Sequence, residues 1–350
     1  MKSICFFNNK GGVGKTTLCC NIAAKVSRQG FKVLLIDADP QSNATLLLLG
    51  EENVTELYLE DKSTRRPHSQ PAETLYDVVR GFEAGEPAIA EVVAPKASST
   101  TRFGVSVLPG HPRMSLVEDQ LANAWHDARG GDLGGLRKSN WFRHLLEKVE
   151  PHYDFVFVDL PPNLGSISRT VLLGADYFVT PMTVDIFSIA GLRNLGHWFS
   201  SWIQLYMNAI SVLENQMPGS AATWKLVTTP SAKHGFIGYT ALAYIAKFRG
   251  GERRPTKAFE NILEQFSPAV QEELAQYRAH GLNEASLRLG EVPNMFSLVP
   301  MAQSANCPIF ELASQDGVRG AHYAQVDKYD RIIQALTEKV LRNTNGGELP

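Results

Sequence analysis

The sequence predicts an α/β fold: a doubly wound, mostly parallel sheet flanked by helices, with a helical elaboration in the C-terminal half. Three observations carry this. The apolar run Ser3 to Phe7 ends at a glycine-rich loop, an amphipathic helical pattern follows, and a second apolar run, Lys32 to Asp37, closes the unit. Strand, loop, helix and strand in so short a span make a βαβ unit, which implies parallel strands covered by helices on both faces.

The helix is expected from about Lys15 to Gln29, with Leu18, Ile22 and Val26 on one face and Gly30 as its stop signal. Further strands are predicted at Val105 to Leu108, Phe155 to Asp159, Tyr177 to Pro181 and Lys225 to Thr229. Helical spacing separates them, as in Phe142, Leu145, Leu146 and Val149. Residues 55–73, polar with two prolines, and residues 126–140, rich in glycine and charge, read as surface loops. Residues 231–290 break the strand and helix alternation and read as a helical insertion, with helices near 237–248 and 256–280. The whole chain, 1–350, is expected to be one domain carrying that insertion.

Composition narrows the class. A net charge of −2 excludes a globally basic nucleic-acid binder and leaves room only for a local patch. Cys5, Cys19, Cys20 and Cys307 lack metal-type or disulfide-type spacing and read as reduced, buried thiols. The run Leu46 to Leu49 is far shorter than the ~20 apolar residues of a membrane span. With no N-terminal signal pattern, the chain is expected to be soluble and cytoplasmic.

The glycine-rich loop, Asn8-Asn9-Lys10-Gly11-Gly12-Val13-Gly14-Lys15-Thr16-Thr17, nearly fits the phosphate loop G-x-x-x-x-G-K-[ST], with Asn9 at the first glycine position and an additional lysine, Lys10. A helix N-terminus behind glycines offers several backbone N–H groups and the positive end of the helix dipole to a phosphate chain. On this reading Gly11, Gly12, Val13 and Gly14 cradle phosphate, Lys15 reaches the β- and γ-phosphates, Thr16 ligates Mg²⁺, and Thr17 sits near the α-phosphate. The dinucleotide pattern G-x-G-x-x-G fails, because Thr17 stands where the third glycine belongs. Two strands end in acids, Asp37 and Asp159, at the sheet edge where open α/β folds bind ligands; both are candidates for holding Mg²⁺. Asp39, beyond the strand and beside Pro40, is the candidate for orienting the attacking water.

These segments, KGGVGKTT from Lys10, DADPQSNAT from Asp37 and YDFVFVDLPPNLG from Tyr153, resemble the ParA/MinD family of deviant-Walker-A P-loop ATPases, and its ParA/Soj branch in particular. Weaker similarity runs through Thr74 to Val78, Val107 to Pro109, Phe187 to Leu192 and Val292 to Pro308. The resemblance implies an ATP- and Mg²⁺-dependent switch that closes as a nucleotide-sandwich homodimer. It implies that Lys10 reaches the phosphates held by the other subunit and that loss of Asp39 stalls hydrolysis. It makes Asp159 the acid of the second switch and places Pro293 near the adenine. It also implies nonspecific DNA as a ligand, nucleoid association, and a stimulating protein partner of the ParB kind.

Departures from that pattern bear on the cargo. Asn294 stands where the family carries a DNA-contacting arginine, and Asn306-Cys307-Pro308 stands where it usually shows His-Gly-Pro. The segment Lys247 to Lys257, with five basic residues against Glu252, is the replacement candidate for DNA. The last helix shows a stripe of Val326, Tyr329, Ile333, Leu336 and Val340, read as core packing rather than a membrane anchor. The chain starts at the first strand, so no N-terminal helix-turn-helix is expected. Two alternatives share the loop: a regulatory or defence ATPase acting on a protein partner without DNA, and an ATP-dependent amide ligase. An iron protein is disfavoured, because no pair of cysteines is available for a cluster at a dimer axis.

Overall fold

The computed structural model describes residues 1–59, 71–92, 102–243, 247–249, 252–254, 257–293, 295 and 297–348. Its centre is a seven-stranded, all-parallel sheet of order β3-β2-β4-β1-β5-β6-β9. The strands are β1 (Lys2–Phe6), β2 (Val33–Asp37), β3 (Ser106–Leu108), β4 (Phe155–Asp159), β5 (Tyr177–Thr183), β6 (Phe236–Ala243) and β9 (Arg288–Pro293). A separate antiparallel pair, β7 (Lys247–Arg249) and β8 (Glu252–Arg254), lies outside this sheet. Strands β2 and β4 are buried at every position, as expected of parallel strands covered on both faces.

Helix α1 (Lys15–Arg28) leaves β1 through the glycine loop and buries Leu18, Ile22 and Val26, the face its spacing predicts. Helix α2 (Asn43–Leu59) follows β2 and is broken at Gly50, whose φ of 79° and ψ of 162° are not helical. The other helices that frame the site are α3 (Met114–Ala128), α4 (Leu133–Ser139), α5 (Trp141–Val149), α6 (Ser166–Gly174), α7 (Ile186–Gln216), α8 (Lys257–Leu274), α9 (Leu298–Ser304) and α10 (Ala321–Thr344). In α10 the stripe Val326, Tyr329, Ile333, Leu336 and Val340 is buried, packed against α1, β6 and β9. All four cysteines are free and buried. Among the described residues no helix is long and apolar enough to cross a membrane.

Three expectations are corrected. Lys225 to Thr229 is not a strand: the amide of Leu226 donates to Ala221 O and that of Val227 to Asn140 Oδ1, so its N–H groups serve a helix end and a side chain rather than a ladder. The sixth strand of the sheet lies instead within the segment read as a helical insertion, at Phe236–Ala243. That stretch is largely apolar, and a short apolar run looks alike as buried strand or buried helix. Only the second half of the segment is helical in the way expected, as α8, and β9 at its end completes the sheet. Residues 126–140 are no loop either. Asp132 caps α4 by accepting from Gly135 N at 2.6 Å, and a Cβ on Gly135 would meet Ala124 O at 2.4 Å. Gly135 thus serves close helix packing, while the turn is confined to residues 129–131, where Gly131 has a φ of 80°. Residues 55–59 of the other expected loop finish α2, while 60–70 lie outside the described residues.

Candidate nucleotide site

The glycine loop is shaped by backbone geometry. Gly12 and Gly14 adopt φ of 72° and 82°, a region that side chains with a Cβ rarely enter, although nothing crowds either position. Asn8 holds the loop from below: its Nδ2 donates to Pro181 O at 2.7 Å and its Oδ1 accepts from Lys10 N at 3.0 Å. No side chain caps the start of α1, which leaves its first-turn N–H groups directed toward the cavity. That cavity, about 340 Å³, is lined at one end by Gly11, Gly12, Gly14, Lys15, Thr16 and Thr17 and flanked by Asp39 and Pro162. Its other end is mostly apolar, walled by Leu47, Val299, Ala302, Cys307 and Ile309 with Gln303 among them. Val13, within the loop, is buried.

The two strand-end acids lie side by side: Asp37 and Asp159 are register partners on the adjacent strands β2 and β4. Asp37 is fully buried. Its Oδ2 accepts from the Thr45 amide and hydroxyl, both at 2.7 Å, and its Oδ1 from Asp39 N at 3.2 Å. Burial pushes its pKa up to about 6 in spite of those bonds. Burial, with Asp37 beside it, raises Asp159 well above the usual carboxylate range. Asp159 Oδ2 accepts from the Thr16 hydroxyl at 2.7 Å, while its Oδ1 is buried with no hydrogen-bond partner. Asp39 is raised by burial and drawn down by Gln41 N and Lys15. Lys15, its charge disfavoured by burial and favoured by Asp159 and Asp39, donates to Lys10 O at 3.1 Å. A hydroxyl on one carboxylate, a second carboxylate adjacent and an orphaned buried oxygen form a hard oxygen set that suits Mg²⁺.

Lys10 does not line the cavity. Its Nζ donates to Asp185 Oδ2 at 2.5 Å, Thr183 Oγ1 at 3.0 Å and Ser188 Oγ at 3.4 Å. Asp185 also caps α7, accepting from Ser188 N at 2.9 Å, and Lys10 and Thr183 hold its carboxyl below the usual range. Beside this latch stand Ile186 and Phe187, 67% and 75% exposed.

The structure therefore gathers Gly11, Gly12, Gly14, Lys15, Thr16, Thr17 and Asp39 around one cavity, with Asp37 and Asp159 directly behind it. Pro293 ends β9 beside Ala243 and is not among the lining residues; that wall comes from the segment some ten residues later. Asn294, like the side chains of the basic segment 247–257, lies outside the described residues. Sequence reasoning missed Asp185, Thr45 and Asn21. Only Asp185 carried a local signal, an Asp three residues before Ser188 at a helix start.

A parallel sheet with a glycine loop, an uncapped helix start and acids at adjacent strand ends defines the P-loop nucleotide-binding class. The AAA_31 family model, an AAA domain, matches residues 1–212. The curated relatives include the chromosome partitioning protein ParA of Myxococcus xanthus, 30% identical over 55% of this chain and 56% of that protein. ParA of Caulobacter vibrioides is 31% identical over 56% and 61%. The sporulation initiation inhibitor protein Soj of Bacillus subtilis is 27% identical over 55% and 63%. The match thus spans somewhat under two thirds of these relatives. A solved structure of protein DIP2308 from Corynebacterium diphtheriae is similar over 99% of this chain and 100% of its own, with 30% identity and a TM-score of 0.76. The chain belongs to the AAA_31 family of ParA/MinD-type P-loop ATPases.

Proposed function

We propose that the protein is an ATP-hydrolysing molecular switch that closes as an ATP-dependent homodimer and positions DNA or a large protein cargo. The observation that carries this reading is the placement of the two lysines. Lys15 sits inside the cavity, whereas Lys10 emerges outside it, beside the exposed Ile186 and Phe187, where a second copy could be met.

Each residue then has a role that its surroundings support. The loop amides of Gly11 to Gly14 and the α1 start take the phosphate chain, with Lys15 at the β- and γ-phosphates and Thr17 near the α-phosphate. Thr16, Asp37 and Asp159 would hold Mg²⁺, which when bound neutralises charge on the phosphate oxygens. Asp39, tethered through Gln41 N but on a loop, orients the attacking water. Lys10, released from Asp185, stabilises charge on the phosphates of the partner subunit in the manner of an arginine finger. Complexes of related folds support the choice of nucleotide: one is a Cyanothece McdA variant with ATP, and one is a Borrelia burgdorferi partition protein with AMPPNP.

The relatives named for chromosome partitioning favour DNA as cargo, with a stimulating partner of the ParB kind and a location in the cytoplasm at the nucleoid. The test is dimerisation and ATP turnover of purified protein with ATP and Mg²⁺, with and without DNA. ATP-dependent dimers that are lost in Lys10→Ala are expected. Lys10→Ala dimers with unchanged turnover refute the sandwich. Salt-sensitive DNA binding with ATP supports DNA cargo, and none at low salt favours a protein partner. Turnover of a small carboxylate would instead identify an amide ligase.

A further inference from the structure

Asn306 occupies a backbone conformation, φ 43°, that residues with a Cβ rarely adopt and that asparagine tolerates better than most. From that turn its Nδ2 donates to two carbonyls of α2, Leu46 O at 3.2 Å and Leu47 O at 3.0 Å. These carbonyls belong to the last turn before the break at Gly50, where a helix has no partners of its own for them. Asn53 Nδ2 takes the Leu49 carbonyl of the same turn at 2.7 Å. Asn306 is thus a cap supplied from far along the chain, and a Cβ on Gly50 would stand 3.0 Å from its Oδ1.

The capped segment, residues 43–49, is a strut. Its first turn is fixed to the acid end of the site, because Asp37 Oδ2 accepts from Thr45 N and Oγ1. Its side chains Asn43 and Leu47 face the cavity. The turn that carries Asn306 continues into the apolar wall at Cys307 and Ile309, and the Ile309 amide donates to Asn21 Oδ1 at 2.9 Å. Asn21 Nδ2 in turn donates to Thr17 O at 2.8 Å, at the phosphate end. A chain of contacts therefore runs along the cavity, by hydrogen bonds from Thr17 through Asn21 to Ile309, by the backbone of the turn to Asn306, by hydrogen bonds to the strut, and from Thr45 to Asp37.

We propose that Asn306 is a positioning residue that couples the base end of the nucleotide to the acid-bearing loop, so that a bound base tightens residues 43–49 against Asp37. This rests on the reading that the cavity takes ATP. A phosphate chain without a base fills only the loop end, leaves the 302–309 turn untouched, and does not engage the coupling.

The experiment compares ATP with inorganic tripolyphosphate, each with Mg²⁺, on wild-type protein, Asn306→Asp and Asn306→Gly. Asn306→Asp keeps shape and backbone preference but offers a carboxylate to two carbonyls; Asn306→Gly keeps the backbone and removes the side chain. The Kd for ATP is expected to rise about 3- to 10-fold in both, the scale of one lost hydrogen bond, while the Kd for tripolyphosphate changes less than about 2-fold. In wild-type protein, hydrogen exchange at residues 43–50 should slow more with ATP than with tripolyphosphate, and that difference should vanish in Asn306→Asp. The exchange comparison on wild-type protein stands even if a variant folds poorly. Equal protection by the two ligands, an unchanged ATP affinity in the variants, or equal weakening of both ligands would each overturn the coupling. Wild-type protein that binds neither ligand would overturn the nucleotide reading itself, and the coupling with it.

Discussion

Replacing Asp185 by Asn tests the idea that Lys10 is held in reserve. Lys10 Nζ lies 2.5 Å from Asp185 Oδ2, with side-chain exposures of 36% and 35%. An ion pair this open to water contributes about 0.2–1 kcal/mol, because solvent screens it and two side chains must be held in place. Asn keeps the cap on α7, since its oxygen still accepts from Ser188 N and Asn and Asp are nearly equal as caps. Asp185→Asn should therefore largely spare stability and remove the charged part of the hold on Lys10, leaving Thr183 Oγ1 and Ser188 Oγ as its partners. A dimer frees two such lysines, so roughly 0.4–2 kcal/mol is recovered and the ATP-dependent dimer should tighten about 2- to 30-fold. Sedimentation with a non-hydrolysable ATP analogue measures this, with a thermal melt as control. A dimer constant that stays the same or weakens, at an unchanged melting temperature, would refute the reserve.

Other outcomes follow from the same geometry. Asp159→Asn removes a buried carboxylate that has an unpartnered oxygen and lies beside Asp37; the ligand-free protein should melt a few degrees higher, on the order of 1–3 kcal/mol, while stabilisation by Mg²⁺ and nucleotide falls, both read by calorimetry. Gly238, φ 136°, has Leu287 O within 2.5 Å of where a Cβ would stand, so Gly238→Ala should cost at least about 2 kcal/mol in urea unfolding. The carboxyl of Asp185 is held below its ordinary value, so its contribution is present above about pH 4 and is lost as pH falls through the folded value. The tightening caused by Asp185→Asn should accordingly be the same at pH 6 and pH 8, as repeated sedimentation would show.

The early half of the molecule was legible because local and global signals agree there. The run from Ser3 to Asp37 is apolar where the strands are buried and glycine-rich where φ turns positive, and Phe155–Asp159 is observed with the bounds its residues predict. The edge of the sheet was not legible. Phe236–Ala243 and Lys225–Thr229 both carry β-branched and aliphatic residues, and what separates them is which backbone groups find a ladder, a property of the neighbouring strand β5. The site divides in the same way. Loop glycines and strand-end acids follow from backbone rules, whereas Thr45 on Asp37, Asn306 on α2 and Asp185 on Lys10 are contacts across the fold that no local pattern encodes.

The acid cluster explains why a chain would keep such an arrangement. Asp39 and Asp159 lie close to Lys15 and Asp37 lies beside both acids, so carboxylates outnumber the cation, and Asp37 and Asp159 are fully buried. Packing buried like charges together costs stability: burial first, and then a neighbouring carboxylate, Asp39 for Asp37 and Asp37 for Asp159, drives both upward. One oxygen of Asp159 is left without any partner, whereas every other carboxylate contact nearby is made to a backbone amide, a threonine hydroxyl or a lysine. A buried carboxylate oxygen without a partner, next to a second buried carboxylate, is where a cation would be accommodated. Under the proposed function, a divalent cation arriving with a phosphate chain would find that oxygen free to bind. Binding then reaches the Asp39 loop directly, because Asp37 accepts the Asp39 amide and holds α2 through Thr45. Under the proposed function, recognition and switching would then both draw on the same crowded carboxylates.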